Sequence, residues 1–412
     1  MLAAAAVVWK PAIATIAPPN RESFRPEQIR DGATLAAAGF CATCHTAEGG
    51  KALAGGRPLA TPFGTIYGTN ITPDRETGIG AWSPAAFTRA MRQGVDREGR
   101  HLYPAFPYNH FTQLIDADIE ALYAFLMTRE PVRAETPAPD LRFPYNVRPL
   151  LAGWKLLFLE QGPSTAKPTA DTAHNRGAYL AEALAHCSAC HAPRNAFGAE
   201  RKDRHFAGGE AEGWWAPPLD SSSPAPLPWS EESLFNYLRA WDSVHGGAVG
   251  PMGPVTAGLA QIPADDVRAI ARYVWSSSGA IGPDREARTE AIIARAGPAR
   301  TDAAVERGAG IYRGACASCH ESGGTVPFTV KSLAQHTTLH GPDPRNVLQV
   351  VLHGIEPREG EVGAVMPAFG TTLTDTQITD LAAYLRARFT DEPAWADTET
   401  TLRRLRADPA GG

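Results

Sequence analysis

The sequence predicts an all-α protein made of three tandem small domains with long loops. The chain has 412 residues, and at ~150 residues per domain this length corresponds to about three domains. One short cysteine motif occurs three times along the chain, and a helix-period stretch follows each copy. No sustained alternation of apolar and polar residues indicates a large sheet.

Composition and charge narrow the class of protein. Apolar residues make up 43% of the chain and charged residues 20%, so each domain can bury an apolar core. The 39 glycines and 35 prolines indicate many turns and long loops. The net charge of −5 argues against nucleic acid as a partner, because nucleic-acid-binding proteins normally carry a strong basic excess.

All six cysteines belong to three copies of the motif Cys-x-x-Cys-His. This motif attaches c-type haem: the thiols form thioethers with the porphyrin and the histidine binds the iron. Zinc sites need no histidine directly after each cysteine pair, and a dithiol redox motif would not occur three times. The sequence therefore predicts three covalently bound haems c. The predicted haem-binding residues are Cys41, Cys44, Cys187, Cys190, Cys316 and Cys319, with His45, His191 and His320 as axial ligands.

The same helices recur around each motif. A helix with a glycine precedes the motif, a second helix follows it, and a third helix with one apolar stripe and an aromatic residue closes the repeat. The glycine lets the first and closing helices approach closely, and the aromatic residue can fill their crossing. The closing helices are predicted within residues 118–126, 266–274 and 377–385.

These repeats predict the domain organisation of the chain. Three domains alternate with linkers, and the first linker contains an apolar segment. The predicted parts are a truncated signal or membrane-anchor remnant (1–19), domain 1 (20–130), a linker (131–170), domain 2 (171–280), a linker (281–301), domain 3 (302–392) and a C-terminal tail (393–412).

Two methionines are candidates for the second axial position of the iron. Met252 and Met366 each lie in a proline-rich loop before a closing helix, where a thioether can reach the distal face of a haem. A His/Met haem has a raised potential and both faces closed to small ligands. A methionine that only fills a gap in a small core is the alternative interpretation. His336, His340 and His353 surround the third motif, and any of them could replace Met366.

The first repeat departs from this pattern. Phe106 lies as far after His45 as Met252 lies after His191, and phenylalanine cannot bind iron. His110 is the predicted sixth ligand of the first haem. His101 in that position, or an open five-coordinate iron, remains an alternative.

The haem also predicts the location of the chain. Covalent attachment of haem c takes place outside the cytoplasmic membrane, so the chain must be exported to the periplasmic side of that membrane. Met1–Trp9 is apolar but too short to cross a bilayer, which needs about 20 residues. We therefore expect a truncated signal or anchor segment at this end. The apolar residues 150–159 either pack between domains or lie on the membrane surface.

The chain resembles the tri-haem cytochrome c subunits of periplasmic dehydrogenase complexes, and each repeat resembles a class I cytochrome c domain. In the alcohol and sugar dehydrogenase subunits the loop of the first repeat typically reads Pro-Ala-Met-Pro-Tyr. Here it reads Pro-Ala-Phe-Pro-Tyr, as in cytochrome subunits that accompany molybdopterin hydroxylases. The resemblance is carried by Thr61–Asp74, Gly78–Ser83, Leu102–Tyr108, Leu150–Phe158 and, for the molybdopterin branch, His340–Asn346.

The resemblance implies an electron-transfer subunit with no catalytic residues of its own. Its partner would be a catalytic dehydrogenase subunit with molybdopterin and an iron–sulfur subunit, in preference to a flavoprotein or a quinoprotein. Electrons would leave to ubiquinone or to a downstream cytochrome at the cytoplasmic membrane surface. The alternatives are a haem enzyme, such as a peroxidase with an open first haem, and a free-standing electron shuttle.

Overall fold

The computed structural model describes residues 8–164, 170–279, 283–323, 325–357 and 363–407. The predicted anchor remnant (1–19), both linkers, the second and third domains and the C-terminal tail are therefore described only in part. In particular, the apolar residues 1–7 lie outside the described residues. No helix in the described ranges is long and apolar enough to cross a membrane.

The chain forms two compact units. Unit 1 comprises Met1–Ala189, Asn195–Ala199 and Gln261–Ile270, and unit 2 comprises Cys190–Arg194, Glu200–Ala260 and Ala271–Gly412. Residues 171–280, predicted as one domain, are thus distributed over both units.

Unit 1 contains the helices that precede the second motif. They are α1 (Pro26–Ala38), α2 (Cys41–His45), α3 (Pro84–Gln93), α4 (Tyr108–Phe111), α5 (Asp116–Met127), α6 (Leu150–Phe158) and α7 (Thr172–Tyr179). A π-helical turn at Leu180–Leu184 continues α7. The next helix, α8 (Ser188–His191), leads into unit 2.

The remaining helices follow the second motif. They are α9 (Glu231–Arg239), α10 (Met252–Leu259), α11 (Ala264–Ser277), α12 (Pro283–Ala294), α13 (Ala303–Ala315), α14 (Ala317–His320), α15 (Thr337–His340), α16 (Arg345–His353), α17 (Asp375–Phe389) and α18 (Thr398–Ala407). All three closing helices are confirmed, as α5, α11 and α17.

Short antiparallel strands accompany the helices, so the prediction of an all-α chain is too simple. They are β1 (Pro58–Thr61), β2 (Gly64–Tyr67), β3 (Asp140–Leu141), β4 (Gly209–Ala211), β5 (Trp214–Ala216), β6 (Trp241–Asp242) and β7 (Gly246–Gly247). The first three form one sheet in the order β1-β2-β3, and the others pair as β4-β5 and β6-β7. None of these strands exceeds four residues, and runs this short show no alternation in the sequence.

The predicted glycine crossings are present in both units. In unit 1, α1 packs along α5, and a Cβ on Gly32 would lie 1.9 Å from the carbonyl oxygen of Ala121. In unit 2, α13 packs along α17, and a Cβ on Gly308 would lie 2.0 Å from the carbonyl oxygen of Asp380. Only glycine permits so close an approach.

The core of unit 2 lies around this second crossing. It contains Tyr312 from α13, together with Leu381 and Phe389 from α17, all almost completely buried. Arg307 and Asp380 close the crossing with two hydrogen bonds of 2.6 and 2.8 Å. These contacts fix the position of α13, whose last residue directly precedes Cys316.

Candidate haem-binding sites

The first motif starts directly after a sharp change of backbone direction. Helix α1 ends at Ala38, and Phe40 takes the left-handed conformation with φ 53° before α2 begins. Both cysteines and His45 then lie on one short helix. Burial raises the pKa of the Cys41 thiol to about 12, and the nearby Cys44 adds to the rise, so Cys41 is a neutral thiol.

A backbone carbonyl orients His45. Its Nδ1 atom lies 2.5 Å from the carbonyl oxygen of Thr69, and burial lowers the pKa of the ring, which keeps it neutral. When Nδ1–H donates to a carbonyl, the other ring nitrogen keeps the lone pair that a metal requires. The donor set at the first motif therefore fits an iron porphyrin.

A glycine brings this carbonyl to the motif. A Cβ on Gly68 would lie 1.8 Å from the carbonyl oxygen of Cys44, so only glycine allows the loop to pass here. The buried Asn70 anchors the same loop, because its side-chain amide donates to the carbonyl of Val132 at 2.7 Å. The sequence block Thr61–Asp74, which carries the family resemblance, thus positions the partner of His45.

The second motif repeats these features. His186 precedes Cys187 and has a left-handed φ of 39°, like Phe40 before Cys41. The Nδ1 atom of His191 lies 2.7 Å from the carbonyl oxygen of Pro217, and burial lowers the pKa of this ring. A Cβ on Gly209 would lie 2.4 Å from the carbonyl oxygen of Cys190.

The third motif differs in its surroundings. Cys316 lies at the start of α14, where burial raises the pKa of its thiol to about 11, and Cys319 is exposed. Burial lowers the pKa of His320. Burial also lowers the pKa of His336 to about 4, and the positive charges that His320, His245 and His340 would carry lower it further. His336 is therefore a neutral imidazole at neutral pH.

Both candidate methionine ligands lie in half-buried positions. Met252 is the first residue of α10. Met366 exchanges two backbone hydrogen bonds of 2.8 Å with Ile355 and packs against the core of unit 2. A left-handed Gly354, with φ 73°, makes room for the carbonyl of Met366. Their coordination of iron stays a prediction.

The loop of the first repeat brings His110, not Phe106, next to another histidine. Phe106 packs on Phe111 with ring centroids 5.4 Å apart. His110 is buried on α4, and its Nδ1 atom lies 2.7 Å from the carbonyl oxygen of Glu182. Its ring centroid lies 6.0 Å from that of His186, directly before the second motif.

Two partners engage the ring of His101, which weakens the alternative that this residue binds iron. The Nζ atom of Lys155 donates to Nδ1 of His101 at 3.0 Å, and Nε2 lies 2.9 Å from the carbonyl oxygen of Val8. Both ring nitrogens therefore serve hydrogen bonds within unit 1.

The residues that orient the axial histidines carry no motif in the sequence. Thr69 and Pro217 act through backbone carbonyls, which every residue type possesses. Thr69 directly follows Gly68, which packs on Cys44, but Pro217 lies eight residues after Gly209, which packs on Cys190, so no common spacing marks the two carbonyls.

Two family models match the chain. Residues 29–130 match the model described as "Cytochrome c", and residues 303–385 match "Cytochrome C oxidase, cbb3-type, subunit III". The chain is thus a cytochrome c whose domains bind haem c covalently.

Related proteins define the family more closely. The chain is 34% identical to the fructose dehydrogenase cytochrome subunit of Gluconobacter japonicus, over 94% of this chain and 85% of that protein. It is 35% identical to the gluconate 2-dehydrogenase cytochrome c subunit of Pantoea cypripedii, over 92% of this chain and 90% of that protein. The chain belongs to the cytochrome c subunits of multi-subunit dehydrogenases, which transfer electrons and do not oxidise the substrate themselves.

A third relative is more similar and much longer. A nicotinate dehydrogenase subunit of Pseudomonas putida is 48% identical over 98% of this chain, which spans 34% of that protein. About two thirds of the Pseudomonas protein therefore have no counterpart in the chain.

Proposed function

We propose that the chain binds three haems c, one at each motif, and relays single electrons from a catalytic dehydrogenase subunit to ubiquinone or a downstream cytochrome. Haem c supplies one-electron chemistry at its iron. The observation that supports the proposal best is the repeated geometry at His45 and His191, each oriented by a backbone carbonyl. The third motif has the same pattern, with His320 half-buried and its pKa lowered by burial.

The proposed roles of the side chains follow from their chemistry. The six cysteines form the thioethers, and the three motif histidines bind iron on one face. Met252 and Met366 bind on the opposite face at the second and third motifs. His110 does so at the first motif, because its Nδ1–H donates to Glu182 and its Nε2 therefore keeps a lone pair.

We further propose that the repeats correspond to three tandem class I cytochrome c domains, with the boundaries given by the sequence. The recurring order of glycine helix, motif, middle helix and closing helix supports this organisation. Two glycine crossings, at Gly32 and Gly308, support it in the first and third repeats.

The proposed catalytic partner is a molybdopterin enzyme with an iron–sulfur subunit. The loop Pro-Ala-Phe-Pro-Tyr favours this branch, and the similarity to a protein named as part of a nicotinate dehydrogenase agrees with it. The proposed location is the periplasmic side of the bacterial cytoplasmic membrane, with the chain exported and held at the membrane surface.

Two measurements on the purified chain test the proposal. The pyridine haemochrome assay and the intact mass should give three covalently bound haems. In a chain with both Cys187 and Cys190 replaced by alanine, the number should fall to two. Haem that acid acetone extracts from the unmodified chain would contradict covalent attachment at all three motifs.

Electron transfer tests the role as a subunit. The chain alone should show no reduction of its haems by a dehydrogenase substrate, and reduction should begin when the co-purifying catalytic subunit is added. Substrate-dependent reduction without a partner would show that the chain is an enzyme. The identity and cofactors of the co-purifying chains test the molybdopterin assignment.

A further inference from the structure

Helix α6 buries its lysine and exposes its leucines. Its buried positions are Ala152 and Lys155, at 2% and 8% exposure, whereas Leu156 and Leu157 are 71% and 72% exposed. In a surface helix of a water-soluble domain the leucines normally face the core and the lysine faces solvent. The apolar face of α6 therefore points away from unit 1.

Specific polar contacts hold the helix in this orientation. The Nζ atom of Lys155 donates to the carbonyl oxygen of Gly94 at 2.5 Å and to Nδ1 of His101 at 3.0 Å. It also lies 4.8 Å from the centroid of the Tyr108 ring, in a cation–π contact. Because these contacts fix the rotation of α6 about its axis, Leu156 and Leu157 face away from the core of unit 1.

Further exposed apolar side chains lie in the residues just before α6. Of thirteen exposed large apolar side chains in the described residues, six fall within residues 143–157. Tyr145 packs on Phe63 with ring centroids 4.3 Å apart, and Trp154 donates to the backbone carbonyl of Phe197 at 3.0 Å. We define the α6 surface as Phe143, Tyr145, Leu150, Leu156, Leu157 and Phe197. Exposed apolar side chains concentrated in this way mark a candidate interaction site.

Charge and composition indicate what covers this surface. Residues 141–158 contain no acidic residue, and two arginines, the exposed Arg142 and the half-buried Arg148, lie among the exposed apolar side chains of this segment, whereas Lys155 points inward. The chain as a whole has a net charge of −5. Leucine and aromatic side chains combined with basic residues are typical of helices that lie in the interface of an anionic bilayer.

Val8, near the start of the described residues, contacts the histidine that binds Lys155. The carbonyl of Val8 accepts the hydrogen bond from His101, which in turn contacts Lys155 of α6. Trp9 is 70% exposed, and residues 1–7 are apolar in sequence. Val8 thus lies beside His101, on the side of α6 that Lys155 faces.

We propose that the α6 surface binds the interface of an anionic lipid bilayer, with α6 lying in the membrane plane. This inference deepens the proposed function, on which it rests for its biological setting, by naming the residues that contact the membrane. With nine residues, α6 is about 14 Å long and cannot cross the ~30 Å hydrocarbon layer. Its leucines and the aromatic residues beside it would enter the region between headgroups and acyl chains.

Vesicle co-sedimentation of the full haem-loaded chain tests this assignment without any partner enzyme. The probe is a vesicle of phosphatidylcholine and phosphatidylglycerol in equal parts, compared with phosphatidylcholine alone. We expect binding to the anionic vesicle, weakened about tenfold by Leu156→Glu or Leu157→Glu. Ile293→Glu, which alters an exposed apolar residue on α12, is the control and should bind like the unmodified chain.

Each other outcome overturns the proposal. An unmodified chain that stays in the supernatant with both vesicles has no such surface. Equal binding by the leucine variants and the control assigns membrane contact to another part of the chain. If the leucine variants instead lose only the co-purifying catalytic subunit, the α6 surface is a protein interface. Haem content and visible spectra establish that each variant is folded, and electron transfer from the partner is measured separately, so failure here leaves the proposed function intact.

Hydrogen–deuterium exchange supplies a second measurement. Peptides covering residues 143–158 should exchange more slowly when anionic vesicles are added, and peptides from α12 should not change. An unchanged exchange rate in residues 143–158 would contradict the proposal even if the chain sediments with vesicles.

Discussion

The Nδ1 atom of His110 lies 2.7 Å from the carbonyl oxygen of Glu182, in the π-helical turn that precedes the second motif. This hydrogen bond joins the loop of the first repeat to the start of the second. It fixes the ring of His110 and directs the lone pair to Nε2. A hydrogen bond from Nδ1 to a backbone carbonyl also orients His45 and His191, so all three rings have a carbonyl partner at Nδ1.

Replacement of His110 by alanine should change the spin state of one haem. If His110 binds iron, the unmodified chain has three low-spin haems, and His110→Ala converts one of them to a high-spin form. Electron paramagnetic resonance of the oxidised chain measures this change. Added imidazole should restore the low-spin signal, because it can occupy the space that the side chain leaves.

His101→Gln is the matched control for this prediction. Lys155 and Val8 already engage both ring nitrogens of His101, so all three haems should remain low-spin. An unmodified chain that already contains one high-spin, carbon-monoxide-binding haem would show that His110 is not a ligand.

Loss of either candidate methionine should lower one reduction potential. A thioether stabilises ferrous iron more than water does, so Met252→Ala or Met366→Ala should lower the potential of a single haem. We expect a change on the order of 0.1 V, within the ~0.8 V range that axial ligands span. Spectroelectrochemical titration measures it. Met91→Leu is the control, since Met91 is buried in the core on α3, and no potential should change by a comparable amount.

Insertion of one methyl group at the crossing of α13 and α17 should destabilise unit 2. The Cβ of Gly308→Ala would lie 2.0 Å from the carbonyl oxygen of Asp380, so the helices must separate, at a cost of about 2 kcal/mol or more. Gly310→Ala on the same helix meets no atom within 4 Å and should be neutral or raise stability by up to ~1 kcal/mol. Thermal unfolding of the two variants distinguishes these effects, and equal melting temperatures would refute the close crossing.

The buried Lys155 should make stability depend on pH. Burial lowers the pKa of Lys155 from 10.5 to about 7, and the positive charge of Lys10 adds to this effect. Between these two values the unfolded chain binds a proton that the folded chain does not, so the free energy of unfolding rises with pH. Below pH 7 both states are protonated, and the cost of the buried charge is complete.

Comparison with Lys155→Met isolates this contribution. Across the window from about pH 7 to 10.5, the stability of the unmodified chain relative to the variant should increase by at most about 1.4 kcal/mol per pH unit. Urea unfolding at several pH values measures the difference. A difference that does not change with pH would show that Lys155 has an ordinary, solvated ammonium group.

Several features were predictable because the chemistry demands particular residue types. Thioether attachment requires two thiols and an adjacent imidazole, so the motifs identify the haem sites without a structure. The helical period locates the closing helices, and Gly32 and Gly308 mark crossings that no other residue permits. Phe106 excludes a methionine ligand at that position for the same reason, since its side chain has no donor atom.

Tertiary structure decided the features that depend on backbone groups and on the orientation of elements. The carbonyls of Thr69 and Pro217 orient the axial histidines, and a carbonyl leaves no trace in the residue type. In the sequence, Lys155 is a single basic residue in an apolar run. It faces inward because its ammonium group finds hydrogen-bond partners in Gly94 and His101. The leucines of α6 consequently face outward, because distant backbone and side-chain partners, rather than local hydrophobicity, set the rotation of that helix.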